Sequence, residues 1–238
     1  MIDLLTPERA VEPQSPAGRD TSRYVRSYLI MRVLLGALGV LLPFVLILGD
    51  GLVLDGDPFP RSSLSAYYYS GMRDVFVGAL CAIGVFLVTY KVAERTLDNT
   101  LSSLAGIAVG LVALLPTGLP DDLEEPTPLQ ELLGVSTVET MHYVAAAVFI
   151  GSLAVISFFF GVREGSRPPR PGCQSPAFWR RFHWACAGAI VASLLWIAVT
   201  QLAGGPSRSL LVGQVVAIWA FGASWLAKGL ELDVLRRR

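Results

Sequence analysis

The stretch "YLIMRVLLGALGVLLPFVLILG", residues 28–49, carries one charged side chain, Arg32. A helix that crosses a bilayer needs about 20 mostly apolar residues, and few soluble core helices have so long an apolar run. Five more stretches qualify: 70–92, 99–118, 138–161, 182–203 and 208–230. Charged residues make up only 16% of the 238, too few to coat a soluble domain of this length. The mean hydropathy of +0.55 agrees. No run alternates apolar with polar at period two, which argues against a barrel. The expected fold class is all-α: a polytopic membrane bundle of six transmembrane helices over 28–230. Residues 1–27 form a cytoplasmic segment, expected to be disordered over 1–22, and 231–238 a basic cytoplasmic tail. The first apolar run follows a polar, arginine-bearing segment, so it reads as a retained span and not as a signal peptide.

Orientation follows from the cations, which favour the cytoplasmic side. Arg9, Arg19, Arg23 and Arg26 precede the first span. Lys91 and Arg95 follow the second, Arg163, Arg167, Arg170, Arg180 and Arg181 follow the fourth, and Lys228 and Arg236 to Arg238 close the chain. The alternate loops are acidic, with Asp50, Asp55 and Asp57 in one and Asp121, Asp122, Glu124, Glu125 and Glu131 in another. Arg61 and Arg208 are the exceptions. Both termini are therefore expected on the cytoplasmic side.

Depth arithmetic points to one polar cluster. Val75–Tyr90 gives about 24 Å of helix and Tyr143–Phe160 about 27 Å, each short of the roughly 30 Å of hydrocarbon. Arg73 and Asp74 on the second span, and Glu139 and His142 on the fourth, are thus expected at the outer boundary. Glu139 and His142 share a face at i, i+3. Tyr69 and Tyr143 suit the same interface, and Gln214 lies two turns into the sixth span. Arg73 is expected to turn inward to Glu139, leaving Asp74 at the positive helix start. The charges can equally be a structural ion-pair cluster. At the opposite boundary, Arg32 is expected to snorkel into water, His183 to be an inner-interface residue, and Glu164–Pro176 to be an irregular loop.

Several chemistries drop out. A net charge of zero gives no nucleic-acid footprint. Cys81, Cys173 and Cys186 show no metal spacing and read as thiols, and no cofactor or metal is expected. Glu139-x-x-His142 has the spacing of half a di-iron site but finds no second copy. There is no G-x-S-x-G elbow and no phosphate loop. Ser65 or Ser70 could form a dyad with His142, although serines at helix starts are ordinarily caps. The spans lack a mid-membrane acid, which disfavours proton-coupled transport. Gly106 and Gly110 on the third span form a small-xxx-small pair that would serve a homo-oligomer or membrane partner if it faced lipid.

The run "SLSAYYYSGMRDVFVGALCAIGVFLVTY", with "LAGIAVGLVALLPTG" and "MHYVAAAVFIGSLAVISFFF", resembles a family of bacterial six-helix membrane proteins of unknown function. The resemblance covers about residues 28–160 and is most specific from Tyr68 to Gly78. It implies a helical bundle in a bacterial cytoplasmic membrane and no established activity. A more distant similarity is to the ceramidase and progestin-receptor-like membrane hydrolases. These hold a metal with several histidines, a pattern that His142 and His183 at opposite membrane faces do not meet. The reading that results is lipid or amphiphile binding in an outer-leaflet cavity lined by Arg73, Asp74, Glu139, His142, Tyr69, Tyr143 and Gln214. The alternatives are a membrane enzyme acting on a lipid, with His142 or Glu139 as base, and a channel, transporter or complex subunit.

Overall fold

The computed structural model describes residues 16–53, 59–90, 97–120, 125–169 and 174–230, without the side chains of 16–26, 28, 97, 98, 229 and 230. The expectations for residues 1–15 and for the tail 231–238 lie outside that description. Every described segment is helical or irregular, and none is a strand. The helices are α1 (Pro16–Leu48), α2 (Arg73–Thr89), α3 (Leu97–Leu114), α4 (Pro128–Leu133), α5 (Val135–Gly165), α6 (Pro176–Leu202) and α7 (Ser209–Leu230). A π-helical turn, Gly49–Val53, extends α1, and a 3-10 turn, Ser65–Tyr69, precedes α2.

All six apolar stretches are helices, but their ends differ from the hydropathy bounds. α1 starts at Pro16, twelve residues before the expected span. Proline suits a first helical turn, and nothing in "AGRDTSRYVRS" stops a helix from continuing. α3 ends at Leu114, because the residue before Pro116 is pushed out of helical geometry. α5 runs on to Gly165, so Glu164 belongs to a helix and not to an irregular loop. α6 begins at Pro176 with Ser175 as its cap, the Ser175 side chain accepting from the Phe178 amide.

Four helical stretches are long and apolar enough to cross a membrane: Leu29–Val53, Val135–Gly165, Pro176–Leu202 and Ser209–Lys228. α2 has 17 residues, about 26 Å, a little short of a full hydrocarbon thickness. The outward faces carry many large apolar side chains. Leu34, Val85, Ile107, Leu195 and Val199 are all well exposed. Helices that are apolar all round belong in lipid.

The long helices close into a ring in the order α1, α7, α6, α5, α3, α2, with α1 against α2 the thinnest seam. Two close approaches set that order. A Cβ on Gly106 of α3 would fall 2.7 Å from the Gly84 carbonyl oxygen of α2, so the two backbones nearly touch. A Cβ on Gly222 of α7 would fall 2.5 Å from Val40 of α1, and one on Gly36 would fall 2.7 Å from Leu226. Glycine thus draws α2 towards α3 and α1 towards α7. Gly106 faces α2 within the chain, whereas a Cβ on Gly110 would meet nothing within 4 Å.

Candidate functional site

Three places hold the chemistry of the molecule: a polar cap at one end of the ring, a charged and aromatic cluster at the other, and a cleft in the α1–α2 seam.

The cap is built around the exit of α3. With no helix beyond Leu114, the carbonyls of the last turn need partners. His142 of α5 supplies one, its Nδ1 lying 2.7 Å from the Leu115 oxygen, and its Nε2 lies 2.9 Å from Ser65 Oγ. Tyr69 donates from its hydroxyl to the Thr117 carbonyl at 2.8 Å. Gln130 Nε2 donates to the Tyr69 hydroxyl at 2.9 Å and to the same carbonyl at 3.1 Å. Thr117 Oγ1 donates to the Tyr143 hydroxyl at 3.4 Å. The Gln214 side-chain oxygen accepts from the Leu64 amide at 2.7 Å, tying α7 to the same loop. Glu139 lies half-buried with its carboxylate against Gly118, where a Cβ would fall 2.5 Å from Oε1. Burial holds the Tyr69 phenol above its ordinary value, with the Gln130 hydrogen bond working against it.

Tyr69, Glu139, His142, Tyr143 and Gln214 therefore do meet in one cap, while Arg73 and Asp74 stand exposed on its rim. The expected Arg73–Glu139 pair is not among the ion pairs of the described residues. Arg73 instead stacks over Tyr68 at 4.3 Å and donates to its hydroxyl at 2.7 Å. An aromatic face five residues back, in the 3-10 turn before α2, satisfies the guanidinium without bringing the charge inside. Nor is there an opening at the cap's centre, since His142 is 1% exposed and Ser65 5%. Sequence reasoning overlooked Thr117 and Gln130. The box Thr127-Pro-Leu-Gln130, which starts α4 with reciprocal bonds, was the available signal.

The opposite end reads differently from its sequence. Arg32 does not snorkel: it is 4% exposed. Its guanidinium lies 5.0 Å from the Trp225 ring, 5.1 Å from Phe160 and 5.8 Å from Tyr90. Trp225 also donates to the Arg32 carbonyl at 3.0 Å. Glu164 is buried and pairs with Lys228 of α7 and, at 2.9 Å, with Arg167. His183 is fully buried, its Nδ1 2.9 Å from Ser224 Oγ. It packs edge-on to Phe160, which lies 18 residues beyond His142, or about 27 Å along α5. The two histidines thus lie at opposite ends of the bundle, and no metal-holding group occurs among the described residues.

The third place is a cavity of about 740 Å³ between α1 and α2. Leu34, Leu35 and Leu38 form one wall, and Cys81, Ala82 and Val85 the other. Phe86 and Tyr90 close it towards Arg32. Short side chains on α2, together with the glycine approaches that hold each helix to its other neighbour, leave this seam unfilled.

No protein family, curated protein or solved structure was found to match the chain.

Proposed function

We propose that this chain is a six-span membrane protein with both termini cytoplasmic, and that it holds the acyl chain of a membrane lipid in the cleft between α1 and α2. The carrying observation is the cleft itself. Its size lies within the range of about 300–1,000 Å³ usual for small-molecule sites. Its walls are aliphatic, as a hydrocarbon chain requires, with Thr89 and Tyr90 at the end where the headgroup level would lie. It opens in the seam of the ring, where a lipid tail enters sideways without crossing the bundle. This moves the amphiphile site from the Arg73/Glu139/His142 cap to the opposite half of the molecule.

The test is a filled cleft. Ala82 is exposed in the α2 wall, so Ala82→Trp adds a ring to the cleft without displacing a packed neighbour. The variant should unfold at the wild-type temperature but lose the lipid that co-purifies with the wild type, read by native mass spectrometry. Equal lipid occupancy in a folded Ala82→Trp protein would refute the assignment.

A further inference from the structure

We propose that Ser65 and His142 form a nucleophilic dyad that acts on the acyl ester of a membrane amphiphile. A carbonyl oxygen only accepts, so in the neutral ring the 2.7 Å contact to the Leu115 oxygen puts the proton on Nδ1. Nε2 then carries the lone pair, and Ser65, at 2.9 Å, donates its hydroxyl proton to it. This is a serine aimed at a general base that a third group holds in one tautomer. The orienting group is a helix-end carbonyl, fixed in place by the break before Pro116.

The neighbouring serines are used otherwise. Ser63 Oγ accepts from the Ala66 amide at 3.0 Å, and Ser70 Oγ donates to the Tyr67 carbonyl at 2.9 Å. Those are local turn bonds. The Ser65 hydroxyl instead reaches a base 77 residues away in sequence. The way in is past Tyr143. Its ring is 45% exposed and stands edge-on to His142 with centroids 5.8 Å apart. Its hydroxyl lies 3.4 Å from Thr117 Oγ1, the longest hydrogen bond around α3's exit, and also meets the Glu139 side chain. For a substrate to reach the dyad the Tyr143 ring must turn aside, at the end of a span, the level where lipid headgroups meet acyl chains.

Ser65 Oγ bonds to the acyl carbon as its proton passes to Nε2. Nε2 returns that proton to the departing alkoxide as the ester C–O bond breaks, and the alcohol leaves. Water then attacks the acyl-serine, losing a proton to Nε2, which passes it to Ser65 Oγ as the carboxylic acid departs. Glu139, three residues before His142 on the same helix face, is a negative charge suited to stabilising the imidazolium.

The full chain in lipid nanodiscs is treated with a fluorophosphonate and the adducts are mapped by peptide mass spectrometry. The expected adduct is on Ser65, forming on the order of 100-fold more slowly in His142→Gln. No adduct on Ser65, equal labelling of Ser63 and Ser70, or an undiminished rate in His142→Gln would each overturn the proposal. If His142→Gln does not fold, the Ser65 labelling rate of the folded wild type is compared with that of the heat-unfolded chain, in which no base is held beside the serine. Labelling of the folded protein no faster than that of the unfolded chain would overturn the proposal. Failure here leaves the lipid cleft untouched, since the two sites share no residue.

Discussion

Glu164 and Lys228 are buried together at one end of the bundle, where Arg167 also reaches the carboxylate. Removing one partner of a buried pair strands the other, at a typical cost of about 3–5 kcal/mol. Lys228→Met and Glu164→Gln should each lower the unfolding temperature in detergent, and the double variant should be milder than the sum of the two. Strict additivity would mean that the pair contributes nothing. At this scale the sequence was legible in polarity but not in partnership. It places Arg32 and Lys228 at the cytoplasmic boundary and Glu164 at the start of a loop, yet the rings and carboxylate that meet the two cations come from other helices. Trp225, whose ring NH meets the Arg32 carbonyl, is 193 residues away. Arg73 departs from its sequence expectation for the opposite reason: its partner, Tyr68, is only five residues back, and depth matching to a distant acid says nothing of a neighbouring aromatic face.

Among the elements, the glycines separate two kinds of helix face. A Cβ on Gly106 would meet the Gly84 backbone, whereas a Cβ on Gly110, one turn on, would meet nothing within 4 Å. Gly106→Val must push α3 away from α2, an overpacking that typically costs about 1–3 kcal/mol. Gly110→Val should cost little. A thermal melt of the two variants side by side tests this, and indistinguishable melts would contradict the seam described. The pair was visible in the sequence, but which of the two glycines faces a neighbour depends on rotation about the helix axis, which hydropathy does not encode. The same limit applies to helix ends. Hydropathy located all six long helices because a long apolar run is a property of composition alone. It missed the first turns of α1 and α6, because polar residues carry a helix on beyond the apolar run as long as no breaker intervenes. It missed the cap's hydrogen bonds because they join loop residues to helices far along the chain.

At the scale of the molecule, orientation decides which end of the bundle faces out. The cations argue for one answer: the segments after the second and fourth long helices hold lysines and arginines, while the alternate connections are mostly acidic. The α1–α2 connection also turns its exceptional cation to local use, since Arg61 pairs with the buried Asp50 at 2.9 Å. That leaves the loop's remaining acids to set its charge. Cys173, between α5 and α6, provides a native thiol for the opposite side. In intact cells, an impermeant maleimide should label Asp55→Cys or Glu124→Cys, while Cys173 reacts only after lysis. The engineered positions are compared with a Cys81→Ser, Cys173→Ser, Cys186→Ser control so that each signal has one source. Protection of positions 55 and 124 with open labelling of Cys173 would invert the molecule. The Ser65–His142 cap would then face the cytoplasm and the cleft's Tyr90 end the exterior, so the lipid reaching each site would come from the other leaflet. Labelling of all three positions in intact cells would instead mean that the helices do not alternate across the membrane, and the six-span reading would fail.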